Sequence, residues 1–168
     1  MVLTALLMKS CASNDDLLNP KIVFLSNRVS PKGEFDIFIS SLNDSIQFNL
    51  TKDIQFIRSI SRPRLSPDNS SLLYVSFNKN ANYLTLLDMI TKEEKYLTEI
   101  NLDIPNATFI QNGKKILYEK KVNGKKQMFI LGVDDEGGKN ISSSPGVNEF
   151  NPQLSQDGST LVFLRLSN

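Results

Sequence analysis

A turn signature that returns at a nearly fixed interval constrains this chain more than any other feature. Arg62-Pro63-Arg64-Leu65-Ser66-Pro67-Asp68-Asn69-Ser70-Ser71-Leu72-Leu73-Tyr74-Val75 has an echo in Ala107-Thr108-Phe109-Ile110-Gln111-Asn112-Gly113-Lys114-Lys115-Ile116-Leu117-Tyr118. A second echo is Pro152-Gln153-Leu154-Ser155-Gln156-Asp157-Gly158-Ser159-Thr160-Leu161-Val162-Phe163. Each places a short apolar strand before an Asp-Asn, Asn-Gly or Asp-Gly pair and a β-branched or aromatic strand after it. Such pairs tolerate the positive φ of a tight hairpin. The turn positions Asn69, Gly113 and Gly158 are about 44 and 45 residues apart, the period of a four-stranded propeller blade.

The rest of each repeat follows in order. A further alternating strand is predicted in Tyr83 to Met89 and in Gln127 to Val133, and the units close with Tyr96-Leu97-Thr98 and Asn140-Ile141-Ser142. The N-terminal part shows the same unit without its first strand. Lys21 to Arg28 matches the second strand, Asp36-Ile37-Phe38-Ile39 the third, and Phe48-Asn49-Leu50-Thr51 the fourth. No 3.6-residue apolar period appears in this body, so the fold class is all-β. The strands group as three, four, four and two. We expect about three to four β-propeller blades of four-stranded antiparallel sheets, forming an incomplete or open propeller. The approximate units are 20–57, 58–102, 103–146 and 147–168, here called units 1 to 4.

Ser26-Asn27-Arg28, then Asp36-Ile37-Phe38-Ile39, Asn49-Leu50-Thr51 and Arg62-Pro63-Arg64-Leu65-Ser66-Pro67-Asp68 together resemble the TolB-type β-propeller repeat, from about Pro20 onward. Unit 3 departs from that pattern, with Phe109-Ile110-Gln111-Asn112-Gly113 where Ser-Pro-Asp-Gly is typical. TolB-type propellers are commonly six-bladed, which implies a longer protein than 168 residues. The resemblance implies a non-enzymatic module for protein–protein interaction in the bacterial cell envelope, recognising outer-membrane or peptidoglycan-associated proteins through the loops at one end. Similar repeats precede the hydrolase domain of prolyl-oligopeptidase-like peptidases, so an N-terminal fragment of such an enzyme is the alternative, with a glycan-binding or glycan-processing propeller as a third reading. An open arc exposes strand edges and apolar blade faces, which favours self-association.

Composition narrows the chemistry. The chain has no His, no Trp and one Cys. A His-based triad or a histidine metal site is therefore excluded within it, as are an internal disulfide and a Cys-ligated zinc site. Neither the G-x-S-x-G elbow of the peptidase relatives nor any cofactor motif occurs, and no catalytic residue or metal is assigned. With 19 basic and 18 acidic residues, no global positive field exists to hold nucleic acid.

Residues 1–19 read as a separate segment. Val2-Leu3-Thr4-Ala5-Leu6-Leu7-Met8, a small residue before Cys11, and the polar Ala12-Ser13-Asn14-Asp15-Asp16 resemble a bacterial lipoprotein signal. That resemblance implies lipidation of Cys11 and a lipid-anchored protein of the periplasm or outer membrane. The alternative is an N-terminus whose apolar residues pack on the domain, with Cys11 as a small buried filler.

Several side chains invite a functional reading. Asp68, Asn112 and Asp157 recur at the turns, where Asx side chains satisfy nearby backbone N–H groups. Asp134-Asp135-Glu136 lacks the alternating oxygen ligands and fixed glycine of a calcium loop and reads as a solvated turn. Lys114-Lys115, Lys120-Lys121 and Lys125-Lys126 suggest an edge hairpin kept soluble by its lysines. Five Asn-x-Ser/Thr triplets begin at Asn43, Asn49, Asn69, Asn106 and Asn140 and are read as chance in an Asn- and Ser-rich chain. Arg28, Arg62 and Arg64 fall where a blade faces the channel or its neighbour and are the candidate partner-binding residues; bonding between blades is their structural alternative.

Overall fold

A computed structural model describes residues 21–29, 35–41, 47–52, 61–78, 81–100, 105–135, 137–142, 144, 146–155 and 157–166, and every regular element among them is a β-strand. The first sheet is antiparallel, in the order β1 (Lys21–Ser26), β2 (Asp36–Ser41), β3 (Gln47–Asn49). The second runs β4 (Ser61–Leu65), β5 (Ser71–Asn78), β6 (Ala81–Asp88), β7 (Glu94–Ile100). The third runs β8 (Ala107–Ile110), β9 (Lys115–Val122), β10 (Lys125–Gly132), β11 (Lys139–Asn140), and the fourth pairs β12 (Asn148–Leu154) with β13 (Leu161–Leu166). Every pairing is antiparallel and joins strands adjacent in sequence, and the grouping read from the sequence is the observed one. No helix among the described residues is long and apolar enough to cross a membrane.

The core lies between sheets, which explains the apolar run in each central strand. Successive strand residues point to opposite faces, so a strand covered on both sides needs apolar side chains at consecutive positions. In β5, Leu72 and Tyr74 join Ile37, Ile39, Leu87 and Met89, on the side of unit 1. Leu73 and Val75 turn the other way and join Ile116, Tyr118 and Leu131 of unit 3, with Leu84, Leu97 and Ile100. In β9, Ile116 and Tyr118 thus face unit 2, and alternation turns the buried Leu117 and Glu119 toward unit 4. The repeat therefore carries a packing rule: an aliphatic-x-aromatic pair faces the preceding unit, and the residues between and after it face the following one.

Polar residues close units 1 and 3 by the same geometry. Thr51 N–H donates to Asn49 Oδ1 at 3.0 Å, while Thr51 Oγ1 accepts from Ile37 N–H at 3.0 Å. In unit 3, Ser142 N–H donates to Asn140 Oδ1 at 2.8 Å and Ser142 Oγ accepts from Met128 N–H at 2.8 Å. The Asn-x-Ser/Thr triplets at Asn49 and Asn140 are therefore structural clasps: the amide holds its own turn and the hydroxyl ends the ladder. That role, rather than chance, accounts for these two triplets.

One sequence expectation is corrected. The lysine-rich hairpin is not at a sheet edge, because β9 and β10 are the two central strands of the third sheet. Its Asn123-Gly124 turn has positive φ at both residues, 49° and 79°, which matches the right-handed twist of the flanking strands. The neighbouring β8 and β11 are short, so Lys120, Lys121, Lys125 and Lys126 crowd the tip that projects past them, while Lys114 and Lys115 lie at the other end of β9.

Candidate functional site

Two of the three recurring hairpin turns, those of units 2 and 4, are built alike. Ser66 Oγ–H donates to Asp68 Oδ1 at 2.5 Å, Ser70 N–H donates to the same oxygen at 3.0 Å, and Ser71 N–H donates to Ser66 Oγ at 2.9 Å. In unit 4, Ser155 Oγ–H donates to Asp157 Oδ1 at 2.6 Å, Ser159 N–H to that oxygen at 3.1 Å, and Thr160 N–H to Ser155 Oγ at 2.9 Å. The carboxylates are thus occupied by their own turns. Among the described residues no group of three acidic or thiol side chains is placed to hold a metal ion.

These bonds favour the charged carboxylates. The Ser66 hydroxyl, then the Ser70 amide, hold Asp68 below the usual carboxylate range. The Ser155 hydroxyl, then Ser159, push Asp157 down to about 2. A depressed folded-state value contributes stability above the unfolded value of about 3.9 and loses it as pH falls. The Asp157 turn is therefore expected to hold above about pH 4 and to open as pH approaches 2. An NMR titration of the Asp157 carboxyl with amide exchange at Ser159 checks this, and a midpoint near 4 would contradict the turn geometry.

Unit 3 breaks the pattern, and a groove opens beside it. A Cβ at Gly113 would lie 3.2 Å from Pro67 Cδ, so the turns of units 2 and 3 touch. Gln111 takes the place of that proline in unit 3. Between the turns of units 3 and 4 there is a groove of about 340 Å³, lined by Phe109, Ile110, Gln111, Asn112, Leu154, Ser155, Asp157 and Gly158. Apolar side chains line it together with two amides, a hydroxyl and a carboxylate, a mixture suited to a peptide segment or loop. The sequence signal that points here is the departure at Phe109 to Gly113, which reads only as a weakened repeat until the turns are seen side by side.

The candidate arginines belong to two different units. Arg28 follows β1 on the outer side of unit 1, its guanidinium 4.1 Å from the Phe38 ring centre and 6.0 Å from that of Phe24. Arg62 and Arg64 share β4, whose register shifts between Ser61 and Arg64, beside the buried Pro63. Arg64 is exposed and its Nη1 donates to Pro63 O at 3.4 Å, while the Arg62 side chain lies outside the described residues. Cys11 and the rest of 1–19 also lie outside them.

Sequence reasoning missed Glu119. It is 3% exposed, at the boundary of units 3 and 4. Its Oε1 accepts from Asn151 N–H at 2.5 Å and its Oε2 from Asn106 N–H at 3.5 Å, and Asn106 Nδ2–H donates to Asn151 Oδ1 at 3.2 Å. Asn151 has φ of 55° within the irregularity between Phe150 and Gln153. A buried carboxylate thus holds the bulge of the next unit.

The architecture has counterparts among solved structures. TolB from Acinetobacter baumannii superposes with a TM-score of 0.69 over 89% of this chain, at 18% identity. The fold is that of the TolB-type β-propeller. A second TolB-type structure, from Agrobacterium tumefaciens, superposes at 0.67 over 87% of the chain with 17% identity. The chain spans 35% and 50% of the length of these two proteins. A prolyl endopeptidase structure matches at 0.64 and 12% identity, over 88% of this chain and 25% of that one. No protein-family model and no curated protein sequence matches. The TolB-type fold thus stands on geometry and on the internal repeat together.

Proposed function

We propose that this chain is a non-enzymatic TolB-type recognition module of the bacterial cell envelope. It is held at the membrane by lipid on Cys11 and contacts outer-membrane or peptidoglycan-associated proteins through the turn end of the array. The observation that carries this reading is the TolB-type fold over 89% of the chain, in a sequence with no His to drive common hydrolytic chemistry. The groove between the turns of units 3 and 4 offers the contact surface, with Arg64 exposed on β4.

The test is made in cells. Labelled palmitate is expected to enter the protein and Cys11→Ser to abolish the label. A photo-crosslinker replacing Gln111 is expected to trap an outer-membrane or peptidoglycan-associated protein that one replacing the exposed Lys121 does not. Label that persists in the Cys11→Ser protein would overturn the anchor, and identical products from both crosslinker positions would overturn the groove.

A second reading has its own support. The prolyl endopeptidase similarity fits a chain that is the propeller part of a larger peptidase, whose catalytic groups would lie outside these 168 residues. Cleavage of proline-containing peptides by the whole gene product would favour it over the envelope module.

A further inference from the structure

The hairpin tip of unit 3 gathers positive charge at a cost to its own sheet. Lys120, Lys121, Lys125 and Lys126 stand close together in a chain whose net charge is +1. They lie on the two central strands of the sheet, so protection of a sheet edge does not account for them. Lys121 and Lys126 are directly opposite each other in the ladder, and like charges in such a pair destabilise a sheet. The acidic neighbour Glu119 is buried and gives both oxygens to backbone amides. Among the described residues Lys120, Lys121 and Lys125 have no ion-pair partner, and the Lys126 ammonium lies 5.6 Å from the Phe150 ring centre. Alternation sets the direction of each charge. Lys120 follows Tyr118 on the face toward unit 2, and Lys125, opposite Val122, shares that face; Lys121 and Lys126 leave by the face toward unit 4.

We propose that this tip docks end-on against an anionic phospholipid surface, with its four ammonium groups among the lipid phosphates. The charges emerge from both faces of a two-stranded tip. A flat anionic surface met end-on therefore reaches all four at once, whereas an acidic peptide lying along one face reaches two. Residues 120–126 include no aromatic side chain on which a nucleic-acid base could stack. Lysine is a hydrated point charge on a flexible stem, which suits mobile headgroups better than a fixed bidentate site, and each lysine near such a surface strengthens attachment about fivefold. The tip and the Gln111 turn lie at opposite ends of β9, so docking leaves the groove between units 3 and 4 turned away from the lipid. The proposal rests on the placement of the hairpin and needs neither lipid on Cys11 nor a partner in the groove.

The test is co-sedimentation with vesicles, using the whole chain as Cys11→Ser so that no acyl chain contributes. Binding is expected to phosphatidylcholine vesicles that contain phosphatidylglycerol, to be much weaker on phosphatidylcholine alone, and to fall as salt is raised. Replacing all four tip lysines by glutamine is expected to weaken binding by about a hundredfold or more. Lys114→Gln/Lys115→Gln removes two charges at the other end of β9 and is expected to bind like the parent. Circular dichroism checks folding. If the fourfold variant does not fold, Lys120→Gln/Lys125→Gln and Lys121→Gln/Lys126→Gln are compared, and each is expected to lose about 25-fold. Equal binding to both kinds of vesicle would overturn the proposal, as would equal losses at Lys114/Lys115 and at the tip. Loss confined to one of the two pairs would point to a partner on one face. Displacement by soluble polyglutamate at matched charge would make the partner an acidic chain, and either result would overturn end-on docking to lipid.

Discussion

Leu73→Ala is expected to lower the unfolding free energy by about 2–5 kcal/mol, the range for deleting a buried leucine side chain. Leu73 is 1% exposed and sits among Val75, Leu84, Leu97, Ile116, Tyr118 and Leu131, where two four-stranded sheets meet. Truncation removes apolar area from that contact and leaves a cavity that the flanking strands, pinned by ladders on both sides, cannot fully close. Val162 holds the same place in its own repeat but is 63% exposed. Val162→Ala is expected to change stability by no more than about 0.5 kcal/mol, measured where the chain is monomeric. Urea unfolding of both variants decides the matter. Equal losses would mean that packing between units is not what stabilises the array; a large loss at Leu73 alone would show that a repeat position acquires its energetic weight from the unit beside it.

That contrast also explains what could be read in advance. The turns were legible because their chemistry is local: Ser66, Asp68, Ser70 and Ser71 satisfy one another within six residues, and Ser155 to Thr160 repeat the arrangement. The strands were legible because apolar residues such as Leu72 to Val75 occupy both faces between turns of fixed spacing. Features made by residues distant in sequence were not legible. The central place of the lysine hairpin follows from β8 and β11 flanking it. The groove beside Gln111 depends on what the next turn, at Ser155 to Gly158, leaves open. The Asn49 and Asn140 clasps were hidden for another reason, since the same triplet at Asn69 sits in a hairpin turn and does a different job.

Glu119 is where the array is expected to come apart locally. Its carboxylate is the acceptor for the Asn151 amide, so Glu119→Ala removes a hydrogen bond to a charged group, a loss of about 1.5–3 kcal/mol. In unit 3 the ladder bond from Glu119 N–H to Asn106 O remains, and only the long 3.5 Å bond from Asn106 N–H to Glu119 Oε2 is lost. The effect should therefore concentrate in β12 and β13, which Asn151 ties to unit 3 beside the bond from Lys126 N–H to Asn148 Oδ1. Hydrogen exchange is expected to show those amides losing protection while β5 and β6 keep theirs, since regions of a protein open with separate free energies. Glu119→Gln retains an oxygen for Asn151 and should restore most of the protection. If Ala and Gln behave alike, the side chain serves only to fill space. If protection falls equally in β5 and β6, unit 4 is not held separately and the units unfold as one. Selective loss with rescue by Gln would establish that a buried oxygen acceptor at position 119 holds β12 and β13 against unit 3.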